Sequence, residues 1–111
     1  MEPQMSNAEQ ISATKQVTLQ FGLRIGDTLH KTITLKQPFM GDMMAAEEIA
    51  PAEKKISYRM ALICQCITAV GSYKGVVTMD LLSRLHPADF TALSQGLDEV
   101  EVEGKSVGNV A

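Results

Sequence analysis

The amino-acid sequence predicts a small α+β protein, in which an N-terminal antiparallel β-hairpin packs on a small bundle of three to four helices. Two patterns predict this fold: apolar residues alternate with polar ones over residues 17–36, and they recur at helical spacing over residues 53–70. The chain has 111 residues, of which 45% are hydrophobic and 21% charged. This length and composition fit one domain with one continuous core.

The hairpin is predicted from the strict alternation of apolar and polar side chains. Between positions 17 and 25 every second residue is apolar: Val17, Leu19, Phe21, Leu23 and Ile25. This period is typical of a strand with one buried face. Residues 26–28 have the composition of a turn, and residues 29–36 resume the alternation with Leu29 on the apolar side. Pro38 ends the second strand, because proline has no N–H group for a ladder.

Two helices are predicted after the hairpin. Residues 40–50 are rich in helix formers, and Asp42 lies near the start, where a carboxylate suits the helix dipole. In residues 53–70, apolar side chains recur at spacings of four, three, four and three in one stripe: Ile56, Met60, Ile63, Ile67 and Val70. We therefore expect a helix over residues 53–70, ended by Gly71, to form the centre of the core.

The last third of the chain predicts a short helix and a final helix. Thr78 suits the cap of a short helix that runs to Leu85, and Pro87 suits the start of the next one. The final helix carries Phe90, Leu93 and Leu97 on one face, and its periodicity stops at Val100. The sequence thus predicts one folded domain over residues 15–100, with flexible tails at residues 1–14 and 101–111.

The side chains that could carry chemistry are better explained by structural roles. Cys64 and Cys66 point in different directions on a helix, so they predict two small buried side chains and no local disulfide or metal site. His86 and Asp89 could form an acid–base pair, but their position around a helix-starting proline favours a cap and a dipole partner. No catalytic or nucleotide-binding motif occurs. We therefore expect no enzymatic activity, no metal and no cofactor.

Charge and hydropathy indicate whether the partner is a nucleic acid, a membrane or another protein. The net charge is −3, and residues 76–111 hold two basic and six acidic side chains. An acidic chain is a poor ligand for nucleic acid, which needs a basic surface. No apolar stretch approaches the roughly 20 residues of a membrane span, and residues 1–14 do not read as a secretory signal. We expect a cytoplasmic protein that binds another protein.

The candidate partner-binding residues follow from the seven methionines and the aromatic side chains. They are Phe39, Met40, Met43, Met44, Tyr58 and Leu62. Methionine side chains suit surfaces that adapt to irregular partners, but they also fill small cores, and the pattern favours neither use. The side of the long helix that carries Tyr58 and Leu62 is weakly polar, so it is either core or a second face for a partner.

The order of these elements resembles the tail assembly chaperones of Mu-like and P2-like phages, over roughly residues 17–100. The resemblance is carried by residues 29–38 (LHKTITLKQP), by Gly41-Asp42 with Glu47, and by residues 79–85 (MDLLSRL) with Asp89. An arginine would be expected near the end of the second strand in such proteins, where this chain has Lys36.

The resemblance implies a chaperone that binds the tape measure protein during tail morphogenesis and is absent from the mature virion. It also implies a longer form made by ribosomal frameshifting, and Glu103-Gly104-Lys105 can be encoded by a slippery sequence. The alternative is that these residues belong to an acidic, solvated tail with no role in frameshifting. The partners expected are thus the tape measure protein and the longer form, with homo-oligomers also open. The alternatives are a structural tail or head-completion protein of the virion, or a small bacterial adaptor.

Overall fold

The structure, a computed structural model, describes the backbone of residues 13–108 and the side chains of residues 13–102. The described elements, in chain order, are β1 (Thr14–Ile25), β2 (Thr28–Lys36), α1 (Met40–Ile49), α2 (Lys55–Cys66), β3 (Ile67–Val70), α3 (Met79–Leu82) and α4 (Pro87–Gly108). The antiparallel hairpin β1–β2 belongs to a sheet of order β1-β2-β3 that packs against the helices. The predicted α+β class is confirmed.

The long helix predicted over residues 53–70 is shorter than expected. It ends at Cys66, and residues 67–70 form β3, which pairs antiparallel with β2 through Ile33↔Val70 and Thr34↔Ala69. β-Branched residues such as Ile67 and Val70 favour extended backbone, and the edge of β2 offers hydrogen-bonding partners. The helical spacing of Ile67 and Val70 was therefore misleading, and Gly71, with φ 51°, follows a strand instead of ending a helix.

The buried face of α2 also differs from the predicted stripe. Ile63 is fully buried as predicted, but the neighbouring buried residues are Ala61, Leu62 and Cys66, while Ile56 is 73% exposed. Ile56 lies in the first turn of the helix, before the layer of core residues begins. Both sides of the later turns therefore contribute to the core, which resolves the question that the weakly polar side left open.

A bulge in β1 interrupts the hairpin register. Thr18 pairs with Thr32 and Leu23 pairs with His30, so residues 19–22 stand opposite Lys31 alone. His30 is buried and Leu29 exposed, the reverse of the predicted alternation. His30 lies beside Gly71 and Tyr73, which follow β3 in the chain. The extra residues would leave backbone N–H groups without ladder partners.

Asp89 supplies those partners from the other end of the chain. Its carboxylate accepts the N–H groups of Gln20 at 2.7 Å and of Phe21 and Gly22 at 3.0 Å each. The side chain is fully buried. Gly22 has φ 89°, a conformation that favours glycine. Asp89 therefore closes the bulge by hydrogen bonding, a role beyond the dipole effect that its position predicted.

Helix α4 covers β1 through a stripe that was largely predicted. Leu93, Leu97 and Val100 are fully buried, and Phe90 packs at the edge of the core. Gly96 lies so close to β1 that a Cβ atom there would approach Val17 Cγ2 to 2.5 Å. Arg59 ties α2 to α4, since it donates to Ser94 Oγ at 2.7 Å and pairs with Asp98 at 2.6 Å.

The ends of the folded unit differ from the prediction where the structure describes them. Thr14 already belongs to β1, and α4 continues past Val100 to Gly108 instead of giving way to an irregular tail. Helix propagation adds one hydrogen bond per residue, so a helix can outlast its apolar stripe. The flexibility predicted for residues 1–12 and 109–111 concerns positions outside the described residues.

Candidate protein-binding surface

The first turn of α1 is fastened to the end of β2. Phe39 N–H donates to Asp42 Oδ2 at 2.9 Å, and Lys36 Nζ forms an ion pair with the same carboxylate. Lys36 Nζ also lies 5.0 Å from the centre of the Phe39 ring, within the range of a cation–π interaction. Asp42 lies in the first turn, as predicted, and Lys36 sets where the helix starts relative to the sheet.

The rest of α1 packs through its small side chains. Ala46, and Ala50 just after the helix, are buried, and α1 packs mainly against α2. The large apolar side chains of this segment remain exposed: Phe39, Met40, Met43, Met44 and Ile49. We call these five residues the methionine surface. Met40 is 67% and Met44 61% exposed, and their spacing of four places them on one side of the helix.

The structure separates the predicted binding residues into two groups. Phe39, Met40, Met43 and Met44 lie together at the surface, so these four do not fill the core. Tyr58 is half-buried against the core, and Leu62 is only 5% exposed, which removes it from the surface of this fold.

Two further apolar residues, Ile49 and Ile56, are exposed although the sequence pattern did not predict it. Ile49 ends α1 and Ile56 opens α2, on either side of the connection that contains Pro51. The exposure of Ile49 could have been predicted, because the apolar residues of α1 are spread around the helix and cannot all face the core. The exposure of Ile56 could not have been predicted, because its spacing matched that of the core residues.

Acidic side chains accompany the methionine surface. Glu47 and Glu48 lie in the last turn of α1, both are exposed, and that turn contains no basic residue. The third acidic residue of α1, Asp42, is neutralised by Lys36. The outer side of the helix is therefore apolar over its first two turns and negatively charged at its C-terminal end.

The polar side chains near the start of α4 have structural roles. His86 Nδ1 accepts the N–H of Ala88 at 3.0 Å, which confirms the predicted cap, and the His86 ring stacks on Phe21 with 3.8 Å between ring centres. Asp89 faces the bulge of β1. The two side chains therefore have different partners and do not form an acid–base pair with each other.

The two cysteines are free thiols of low reactivity. Burial raises the pKa of the Cys66 thiol to about 12 and also raises the pKa of Cys64. The thiolate is the reactive form, so little of it is present near neutral pH. Among the side chains of residues 13–102, no group of three or more His, Cys, Asp or Glu is placed to hold a metal ion.

Comparison with protein families decides the biological setting. The family model described as tail assembly protein gp41 (Gp41_Mu) matches residues 19–109. The chain belongs to this family. The resemblance to Mu-like tail assembly proteins is thereby confirmed, and this tail assembly protein has a role in phage tail assembly. No curated protein and no solved structure gives a significant match. None of the helices in the described part of this tail assembly protein is long and apolar enough to cross a membrane.

Proposed function

We propose that this tail assembly protein is a chaperone that binds the tape measure protein during tail morphogenesis and is absent from the mature virion. The observation that carries the proposal is the methionine surface, in which Phe39 at the helix cap and Met40, Met43 and Met44 in the first two turns of α1 stand exposed beside one another. A contiguous exposed apolar patch usually marks a site of protein interaction. In a tail assembly protein, such a patch suits transient shielding of another chain.

The chemistry of the surface suits a helical client. Exposed methionines present flexible, polarizable side chains that adapt to different apolar stripes. An amphipathic helix laid along α1 would cover Met40 and Met44 with its own apolar face, in the manner of helix-in-groove recognition. Lys36 and Asp42 hold α1 in place on the sheet, so the surface is presented without prior refolding.

The proposal also includes the place where the protein acts and a longer form of the protein. The protein acts by binding in the host cytoplasm, without catalysis or cofactor, and a frameshifted longer form carries the same domain. Glu103-Gly104-Lys105 lies near the end of α4, where a change of reading frame would leave the sheet and the methionine surface intact. The gene sequence tests this part directly: non-slippery codons at these positions, with no overlapping frame behind them, would remove the longer form.

Co-expression with the tape measure protein of the same phage tests the main proposal. We expect the two proteins to co-purify and the soluble fraction of the tape measure protein to rise. The double variant Met40→Gln/Met44→Gln should lose both effects, since it removes apolar contact while keeping helix-forming residues of similar length.

The matched control is Val76→Thr/Val102→Thr, which alters two exposed apolar residues outside the methionine surface and should behave as the unmodified protein. Equal loss in both double variants would show that general surface hydrophobicity matters and would count against this site. Recovery of the protein in stoichiometric amounts from purified virions would refute a chaperone that leaves the particle.

A further inference from the structure

Two carboxylates at the end of α1 have no ionic partner among the side chains of residues 13–102. Asp42 pairs with Lys36, whereas neither Glu47 nor Glu48 forms an ion pair with any described side chain. Both are exposed, so water solvates them in the free protein. They lie directly beyond the methionine surface along the helix.

Their position is unfavourable for the isolated helix. The C-terminal end of a helix carries the negative pole of its dipole, which repels carboxylates and attracts cations. The last turn of α1 contains both glutamates and no basic residue. A positive charge placed at this end would therefore be attracted by two carboxylates and by the helix dipole together.

The exposed methionines and the two glutamates lie on the same side of α1. Glu48 follows Met40 and Met44 at the same spacing of four, and Glu47 follows Met44 by three, so both carboxylates continue the row of exposed methionines. The buried side of the helix, marked by Ala46, faces away from this row. A helix lying along α1 would meet the methionines first and the carboxylates one turn later.

We propose that the segment recognised by this surface is an amphipathic helix whose apolar stripe ends in lysine or arginine residues. The inference rests on the proposed function and specifies the segment of the partner that binds. Apolar contact supplies most of the affinity, while the charges fix the direction in which the partner helix lies, because only one orientation places its basic end beside Glu47 and Glu48.

Two synthetic peptides provide the test. Both have the same leucine stripe on a helical scaffold, and one carries lysines after the stripe where the other carries glutamates. We expect the lysine peptide to bind roughly three- to tenfold more tightly at low salt, the range expected for partly exposed charge pairs, with the difference shrinking as salt is added. Fluorescence anisotropy measures both affinities.

Charge-matched variants locate the effect. Glu47→Gln/Glu48→Gln should abolish the preference for lysine, whereas Asp27→Asn/Asp80→Asn, which changes the net charge equally in the hairpin turn and in α3, should preserve it. Preference that survives Glu47→Gln/Glu48→Gln, or is lost equally in both double variants, overturns the inference.

The outcomes also distinguish this inference from the proposed function. If both peptides bind equally and Met40→Gln/Met44→Gln abolishes binding, the charge inference fails while the apolar binding surface stands. If neither peptide binds, the inference fails, and co-purification with the tape measure protein decides the proposed function independently.

Discussion

Single side chains in this protein connect segments that are far apart in the sequence. Asp89 is buried without a cationic partner among the described side chains, yet its carboxylate is satisfied by three backbone N–H groups of the bulge in β1. Charge-assisted hydrogen bonds of this kind are stronger than those between neutral groups. The residue thereby links the start of α4 to a strand 67 to 69 positions earlier in the sequence.

Removing the Asp89 carboxylate should lower the free energy of unfolding substantially. Asp89→Ala removes the acceptor of three partly buried hydrogen bonds, and leaving such a donor unpaired costs roughly 1–3 kcal/mol, so we expect a loss of about 1–3 kcal/mol. Asp89→Asn should also destabilise, because it replaces an accepting oxygen with a donor. Urea denaturation followed by circular dichroism measures both. Asp80→Ala, at an exposed site, is the control; equal effects at both positions would contradict this role of Asp89.

The thiol of Cys66 should resist alkylation until the protein unfolds. With a pKa of about 12, only roughly one thiol in ten thousand is ionised at about pH 8, and its side chain is buried. Mass spectrometry after iodoacetamide treatment should show slow labelling of Cys66 in buffer and rapid labelling in urea. The unfolded thiol ionises near pH 8.5, well below the folded one, so stability should fall as pH rises above about 9. Rapid labelling of Cys66 in the native state would show that this part of the core opens readily.

Helix α4 packs closely on β1 at Gly96. Gly96 provides room for Val17, while Leu93 and Leu97 fill the core on either side. Sequence periodicity identified the leucines but not the glycine, since a helical glycine has no apolar side chain to register in the pattern. The need for glycine at position 96 becomes clear only from the packing of β1 against α4.

Substitution of Gly96 by alanine should therefore destabilise the protein despite alanine's better helix propensity. The propensity gain is about 1 kcal/mol, whereas overpacking a tight contact costs about 1–3 kcal/mol. Val17→Ala removes the side chain that the new methyl group would meet, so the double variant should lose less stability than the two single variants together. A double-mutant cycle from denaturation curves measures this coupling. Additive effects would show that Gly96 is not needed for the close approach to Val17.

At the scale of the whole molecule, the fold decides which apolar residues form the core and which remain available for a partner. Helix α2 packs against α1 and also contacts α4 and β2, and its buried residues, among them Leu62 and Ile63, belong to the core. Helix α1 lies outside this layer and packs through alanines, which leaves its methionines exposed. The core and the proposed binding surface are thus formed by consecutive helices.

A pair of matched substitutions tests this division. Leu62→Asp should unfold the protein, because it places a charge at a buried position without a partner. Ile56→Asp should leave the protein folded with nearly unchanged stability, since Ile56 is largely exposed. Thermal unfolding and size-exclusion chromatography distinguish the two. A folded Leu62→Asp variant that loses only partner binding would restore Leu62 to the binding surface.

Local periodicity and local chemistry were enough to predict several features of the fold. The alternation in residues 17–25 predicted β1, the capping residues near positions 42, 78 and 86 predicted the helix starts, and the leucine spacing predicted the inner face of α4. These features depend on neighbours within a few positions, so a linear pattern records them. The cluster of Phe39, Met40, Met43 and Met44 was likewise found from the sequence, although its exposure was not.

Other features depend on residues far apart in the sequence and arise only when the chain folds. Residues 67–70 became a strand because β2 offered an edge, and His30 is buried where Gly71 and Tyr73 lie against it. Asp89 turned inward because that bulge presents unpaired N–H groups. Only packing against α2 showed that α1 contributes alanines to the core and presents methionines to solvent. Burial and long-range hydrogen bonding are properties of the assembled chain, and the local sequence does not contain them.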